Sequence, residues 1–258
     1  MAYFEGTFRS RVLDMETNVN LILPNDNFDS NGVNKPYTKV LYMLHGLRQN
    51  ASSWPRMSSI ERYARYYGYA VIVPEVQRSW YCDMPGGLDY YTFISEELPE
   101  LVNSVVKLPQ ERENTFIGGL SMGGYGALKC VLRRPDRFGG AMCFSSAFYS
   151  LDNAERLQRI CRNPGELRGV IGDDLVLSDE DSIDYLIRKF PADAPKPKLY
   201  LACGTEDSLF DSNVRTRDTL REHGFELTWE QWAGAHDWKF WDPAADRAMR
   251  LFAGIDAE

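Results

Sequence analysis

Hydrophobic positions along the chain follow two alternating rhythms. Short continuous apolar runs rich in β-branched residues, "KVLYMLHG", "YAVIVPEV" and "KLYLACG", have the length and flanks of strands buried on both faces. "NTFIGGL" and "GGAMCFSS" fit between them as two more. Between these runs the spacing turns helical. In "SSIERYARYYG", Ile60, Tyr63, Ala64 and Tyr67 share one face ahead of a terminating Gly68, and "GYGALKCVLRR" predicts a helix directly after a strand. Such alternation predicts the α/β class: a mostly parallel sheet with helices on both faces. The opening "TFRSRVLDMETNVNLILP" reads instead as two strands joined by a turn, an antiparallel start to the sheet. "LTWEQWAG" supplies a late strand, bringing the sheet to roughly eight. "DPAADRAMRLFAGI" predicts a closing helix with Met249, Phe252 and Ala253 inward.

Residues 148–190 break the rhythm, being charged, interrupted by Pro and Gly, and only locally helical in "NAERLQRICR" and "DSIDYLIRKF". They read as a cap-like insertion near one end of the sheet, overhanging a pocket, within a single domain spanning 1–258. With 258 residues, 44% hydrophobic and 26% charged, the chain has an ordinary globular composition. Its net charge of −8 disfavours nucleic acid and anionic lipid as partners. No apolar run approaches the roughly 20 residues of a bilayer span. The first residues, "MAYFEGTFRSRV", scatter charge where a signal peptide needs a basic start and an apolar centre, so the expected location is cytoplasmic. Cys82, Cys130, Cys143, Cys161 and Cys203 form an odd set without C-x-x-C spacing, which predicts buried thiols rather than a disulfide framework or a metal site. Oligomeric state stays open, a homo-oligomer included.

Chemistry enters at Gly119-Leu120-Ser121-Met122-Gly123, a G-x-S-x-G between the strand "NTFIGGL" and the helix "GYGALKCVLRR". A serine at a sharp strand-to-helix turn is held in strained backbone angles, and the flanking glycines remove side chains that would collide. The helix N-terminus behind it favours developing negative charge. A serine nucleophile needs a base, and only His45, His223 and His236 exist. His223 precedes a glycine at a helix end, where an imidazole serves terminal carbonyls. His45 lies far ahead of the serine, whereas α/β hydrolases order nucleophile, acid, histidine. His236, in "GAHDWKFW", follows the last strand and is the expected base. For the acid, "LYLACGTEDSLFDSN" offers Glu206, Asp207 and Asp211. Asp207 stands just past the strand end and is favoured to accept the other ring N–H of His236. Asp211 could instead cap a helix starting near Asn213, and Glu206 could be solvated. The expected oxyanion hole combines the N–H of Met122 with that of Leu47, in "LHGLRQN", where Gly46 permits close approach and His45 orients the loop.

Five stretches, "LYMLHGL", "SWYCDMPGGLDYYTFISEELPELV", "FIGGLSMGGYGALK", "CGTEDSLF" and "GAHDWKFW", span nearly the whole chain. Together the chain resembles esterase D-like α/β hydrolases, most closely the tributyrin esterase group of short-chain acyl esterases. The resemblance implies the α/β-hydrolase fold, a Ser121, Asp207, His236 triad, oxyanion N–H groups on Leu47 and Met122, and no metal or organic cofactor. It further implies a small-molecule acyl ester substrate, and a pocket wall that includes His45, Gly46, Trp80, Tyr81 and Trp238. Aromatic packing beneath the loop is an equal reading for Trp80 and Tyr81, and Trp238 and Trp241 could serve only to dock the final helix. Arg48, Gln49 and Cys82 depart from the family pattern near the expected mouth. An S-formylglutathione-type thioesterase, an acetyl or feruloyl carbohydrate esterase, an acyltransferase and a non-catalytic binding member of the fold are the rival functions.

Overall fold

Eight strands form one sheet in the order β1-β2-β4-β3-β5-β6-β7-β8 in the computed structural model, which describes residues 1–25, 37–149 and 163–255. β1 (Ala2–Ser10) and β2 (Met15–Leu23) make the antiparallel hairpin expected at the start, paired from Ala2↔Leu23 to Ser10↔Met15. β2 then runs antiparallel to β4 (Tyr69–Pro74), and every later pairing is parallel. β3 (Lys39–Leu44) sits between β4 and β5 (Thr115–Leu120), followed by β6 (Gly140–Phe144), β7 (Lys198–Gly204) and β8 (Leu227–Trp232). All six residues of β4 and of β5 are buried, as continuous apolar runs covered on both faces must be.

Two apolar cores flank the sheet. One lies under α1 (Ser53–Met57), α2 (Ile60–Tyr67) and the C-terminal helix, through Trp54, Ile60, Tyr63, Ala64, Phe240, Met249 and Phe252. In α2 the inward residues follow the predicted face, and Gly68 closes the helix at φ 73°, a left-handed angle suited to glycine. The other core lies under the chain from α3 (Tyr90–Thr92) through a π-helical turn, Phe93–Glu97, to α4 (Leu98–Val105), and under α5 (Met122–Arg133). The helical run from Tyr90 to Val105 is not among the elements expected from the sequence pattern. Pro99 lies inside this continuous helical run, directly after the π-helical turn, where the hydrogen-bond ladder is already shifted.

The interrupted segment supplies α6 (Pro164–Ile171) and α7 (Ile183–Arg188), which pack Leu167, Val170, Ile171, Ile183 and Ile187 into that second core. The helix expected in "NAERLQRICR" lies outside the described residues. Asp181 anchors the segment to α5: its Oδ1 accepts from Lys129 Nζ at 2.7 Å and its carbonyl from the Tyr125 hydroxyl at 2.7 Å. α8 (Phe210–Glu222) and α9 (Trp238–Phe252) complete the fold. α9 begins ahead of the predicted Asp242, capped by the Asp237 side chain on Lys239 N, and carries Pro243 internally. Met249 and Phe252 point inward as predicted, with Ala253 half-buried just past the helix end. Among the described residues, no helix is long and apolar enough to cross a membrane.

Candidate active site

The loops after β3, β5, β7 and β8 meet at the carboxyl edge of the sheet, where the connections leaving the neighbouring strands β3 and β5 run in opposite directions, the place where open α/β sheets bind ligands. Ser121 ends β5 and opens α5 with φ 54° and ψ −116°, outside the ordinary regions for a residue with a side chain. The turn is held by Ser121 N–H on the Phe144 carbonyl at 2.9 Å and by Ala147 N–H on the Ser121 carbonyl at 3.0 Å. A Cβ on Gly123 would lie 2.4 Å from the Leu44 carbonyl oxygen, and one on Gly119 2.6 Å from the Gly123 backbone. Close approach, rather than a left-handed angle, is what these two glycines permit.

His236 reaches Ser121 from the loop after β8. Its Nε2 is 3.1 Å from Ser121 Oγ, and its Nδ1 is 2.8 Å from Asp207 Oδ2. Facing a carboxylate, Nδ1 carries the proton and donates, which leaves Nε2 to accept from the serine hydroxyl. Asp207 is buried beyond β7. Burial alone would raise its pKa, but hydrogen bonds from His236, the His236 charge, the Leu209 N–H at 2.8 Å and the Ser145 hydroxyl together hold it below the ordinary carboxylate value. Asp211 falls inside the first turn of α8 rather than capping it, because that helix starts at Phe210. His223 accepts its expected place at the end of α8, with Nδ1 2.9 Å from the Thr219 carbonyl.

The loop after β3 is fixed by its own hydrogen bonds. The Gly46 carbonyl accepts from Gln49 N at 3.0 Å and from His45 Nδ1 at 2.9 Å. Every peptide here is trans, so a carbonyl held on one side sends the N–H of Leu47 to the other. Leu47 lines the cavity, and its N–H takes no protein acceptor among the described residues. Met122 is the first residue of α5, so its N–H precedes the intrahelical ladder. The Ser121 hydroxyl, the His236 ring and Leu47 line one cavity of about 440 Å³.

The Esterase family model matches residues 10–251. This chain belongs to the Esterase family. It is 35% identical to an acetyl esterase of Caldicellulosiruptor saccharolyticus, over 99% of both chains. An S-formylglutathione hydrolase of Bos taurus is 29% identical over 70% of this chain and 68% of its own. Among solved structures, the substrate-bound fluorophosphonate-binding serine hydrolase F of Staphylococcus aureus is 34% identical, covers 98% of both chains and superposes with a TM-score of 0.86. The fold is the α/β-hydrolase fold, and the protein is an esterase of the esterase D-like kind.

Within this esterase the expected pocket wall divides. Gly46 and Trp80 line the cavity. His45, Tyr81 and Trp238 do not. His45 is fully buried, and Val76 N–H donates to its Nε2 at 3.2 Å, so the ring supports the loop from behind. Tyr81 is buried with its hydroxyl donating to the His45 carbonyl at 2.8 Å. Trp238 packs edge-on against Trp54 and Trp241, and it is Trp241, one turn further along α9, that lines the cavity and meets the His236 ring edge-on at 4.9 Å. Leu120, Ala147, Ser208 and Leu209 complete the wall with Arg48 and Gln49. Periodicity carried no signal for Ala147, but its strand ends between those bearing Ser121 and Asp207. Ser145, buried at φ 45° and hydrogen-bonded to Asp207, was likewise missed. Described parts of α6 and α7 do not line the cavity; their apolar residues pack into the second core.

Proposed function

We propose that the chain is a cytoplasmic serine carboxylesterase for short-chain acyl esters, with Ser121 as nucleophile, His236 as general base and acid, Asp207 as the carboxylate that orients His236, and the N–H groups of Leu47 and Met122 as oxyanion donors. The observation that carries this reading is the unbroken run from Ser121 Oγ through the His236 ring to Asp207, at 3.1 Å and 2.8 Å, opening on a cavity. Ser121 Oγ adds to the ester carbonyl carbon while its proton passes to His236 Nε2. The tetrahedral oxyanion is met by the two N–H groups, each contributing about 3 kcal/mol. The C–O bond to the alcohol breaks, and that oxygen takes the proton from Nε2. Water then adds to the acyl-serine by the same route, releasing the acid and restoring Ser121.

Buried Leu120, Ala147, Leu209 and Trp80 favour a short apolar acyl chain in a space of this size. One domain covering residues 1–258 is supported by a sheet that uses strands from both chain ends. A thioesterase reading draws support from the S-formylglutathione hydrolases among the relatives, since an acyl-serine forms equally from a thioester. Hydrolysis of p-nitrophenyl acetate by the wild type, its loss in Ser121→Ala with folding intact, and a comparison of matched oxygen and sulfur esters test both. A Ser121→Ala protein with near-parental turnover would remove the assignment.

A further inference from the structure

Among the described residues, Arg48 is the only Lys, Arg, Asp or Glu side chain in the cavity wall. It is exposed and forms no ion pair among the described residues, whereas nearby Arg78 is paired with Glu166 at 2.6 Å. Its backbone is fixed on both sides. The Leu47 carbonyl accepts from Arg78 Nη1 at 3.3 Å, and Gln49 is bound to Gly46 through both its N–H and its side-chain Oε1. An unpaired guanidinium is thus anchored beside the Leu47 N–H on a chain of net charge −8.

The wall is divided by depth. Leu120, Trp80, Ala147 and Leu209 are buried, while Arg48 stands at the rim. The carbonyl carbon must sit against Ser121 with the acyl chain among the buried apolar groups. The alcohol or thiol, which departs after taking the His236 proton, is left to face the rim. Building on the function proposed above, we infer that Arg48 is a specificity residue selecting esters whose leaving group carries an anion, a carboxylate above all. Guanidinium and carboxylate match in shape and pair through two parallel hydrogen bonds. At an exposed rim the gain is modest and salt-sensitive, about fivefold in kcat/KM.

The test compares 4-acetoxybenzoate with 4-acetoxybenzamide, leaving groups of similar shape that differ in charge, each rate divided by its hydroxide-catalysed rate. For the wild type at low salt the corrected ratio is expected to favour the carboxylate about fivefold and to fall towards one in 0.5 M salt. Arg48→Gln is expected to abolish the preference, Arg48→Lys to retain part of it and Arg48→Glu to reverse it. Because each ratio is internal to one protein, an altered overall rate does not obscure it. A wild-type ratio of one, or a preference unchanged in Arg48→Gln and Arg48→Glu, overturns the inference while leaving the hydrolase reading standing. Failure of the wild type to hydrolyse either ester overturns both.

Discussion

Replacing Asp181 by Asn isolates what binds the interrupted segment to the core. Lys129, on the same helix as Met122, is fully buried, with Nζ 2.7 Å from Asp181 Oδ1 and 3.3 Å from Cys82 Sγ. At 2.7 Å and an effective dielectric of about 20, the attraction is about 6 kcal/mol, much of it offset by taking both charges out of water. Asn keeps the shape but leaves an uncompensated ammonium. The rings of Tyr125 and Tyr91, at 5.0 and 5.4 Å, return about 1 kcal/mol each. The expected loss is about 3 kcal/mol, read from the urea midpoint at unchanged m-value.

The pH dependence of that loss has a definite sign. Burial acts against both charges, but Cys82 and Asp181 together hold Lys129 above its ordinary 10.5, and the charge and hydrogen bond of Lys129 hold Asp181 below its ordinary 3.8. The Asp181 contribution is complete above 3.8 and disappears as pH falls through the depressed folded value. The Lys129 contribution is complete below 10.5 and disappears as pH rises through the raised folded value. From the acid limit to neutral pH the difference between wild type and Asp181→Asn should be flat, it should shrink at higher pH as the unpaired buried Lys129 of the variant gives up its proton, and 0.5 M salt should leave it nearly unchanged. Lys129→Met combined with Asp181→Leu should recover stability to within about 1 kcal/mol of the wild type. A loss below 1 kcal/mol in Asp181→Asn, or one removed by salt, would refute the reasoning.

Further consequences concern the site. Asp207→Asn should lower kcat on the order of 10⁴-fold in steady-state assays, by losing the tautomer that presents Nε2 to Ser121; a loss under tenfold would contradict that role. Gly123→Ala drives a methyl to 2.4 Å from a β3 carbonyl and should cost about 1–3 kcal/mol in thermal or urea unfolding, with activity reduced as Ser121 shifts. Tyr81→Phe removes the buried donor to the His45 carbonyl and should cost about 1–3 kcal/mol; unchanged stability would mean that this hydrogen bond contributes nothing.

The parallel core was legible because β3 to β7 are buried on both faces, so their apolar runs needed no alternation to be found. Ser121, Asp207 and His236 were legible because each follows directly on a strand end, and parallel strands deliver their carboxyl ends to one edge. The wall was harder. Trp238 and Trp241 lie one helical turn apart, and which of them meets the cavity depends on the true start of α9, hidden by Pro243. Trp80 and Tyr81 both adopt positive φ, 55° and 54°, so successive side chains leave in directions that no strand or helix period anticipates. His45 looked like a pocket residue because the family motif stands beside the mouth. Its two ring hydrogen bonds, visible only in three dimensions, turn it away.

Peptide mapping of the adduct formed with a fluorophosphonate probe bears most directly on the central claim. The account predicts stoichiometric modification of Ser121, rapid in the wild type and greatly slowed when His236 is replaced by Ala. Attachment at another residue, or no attachment to a folded protein that still hydrolyses its ester, would contradict it.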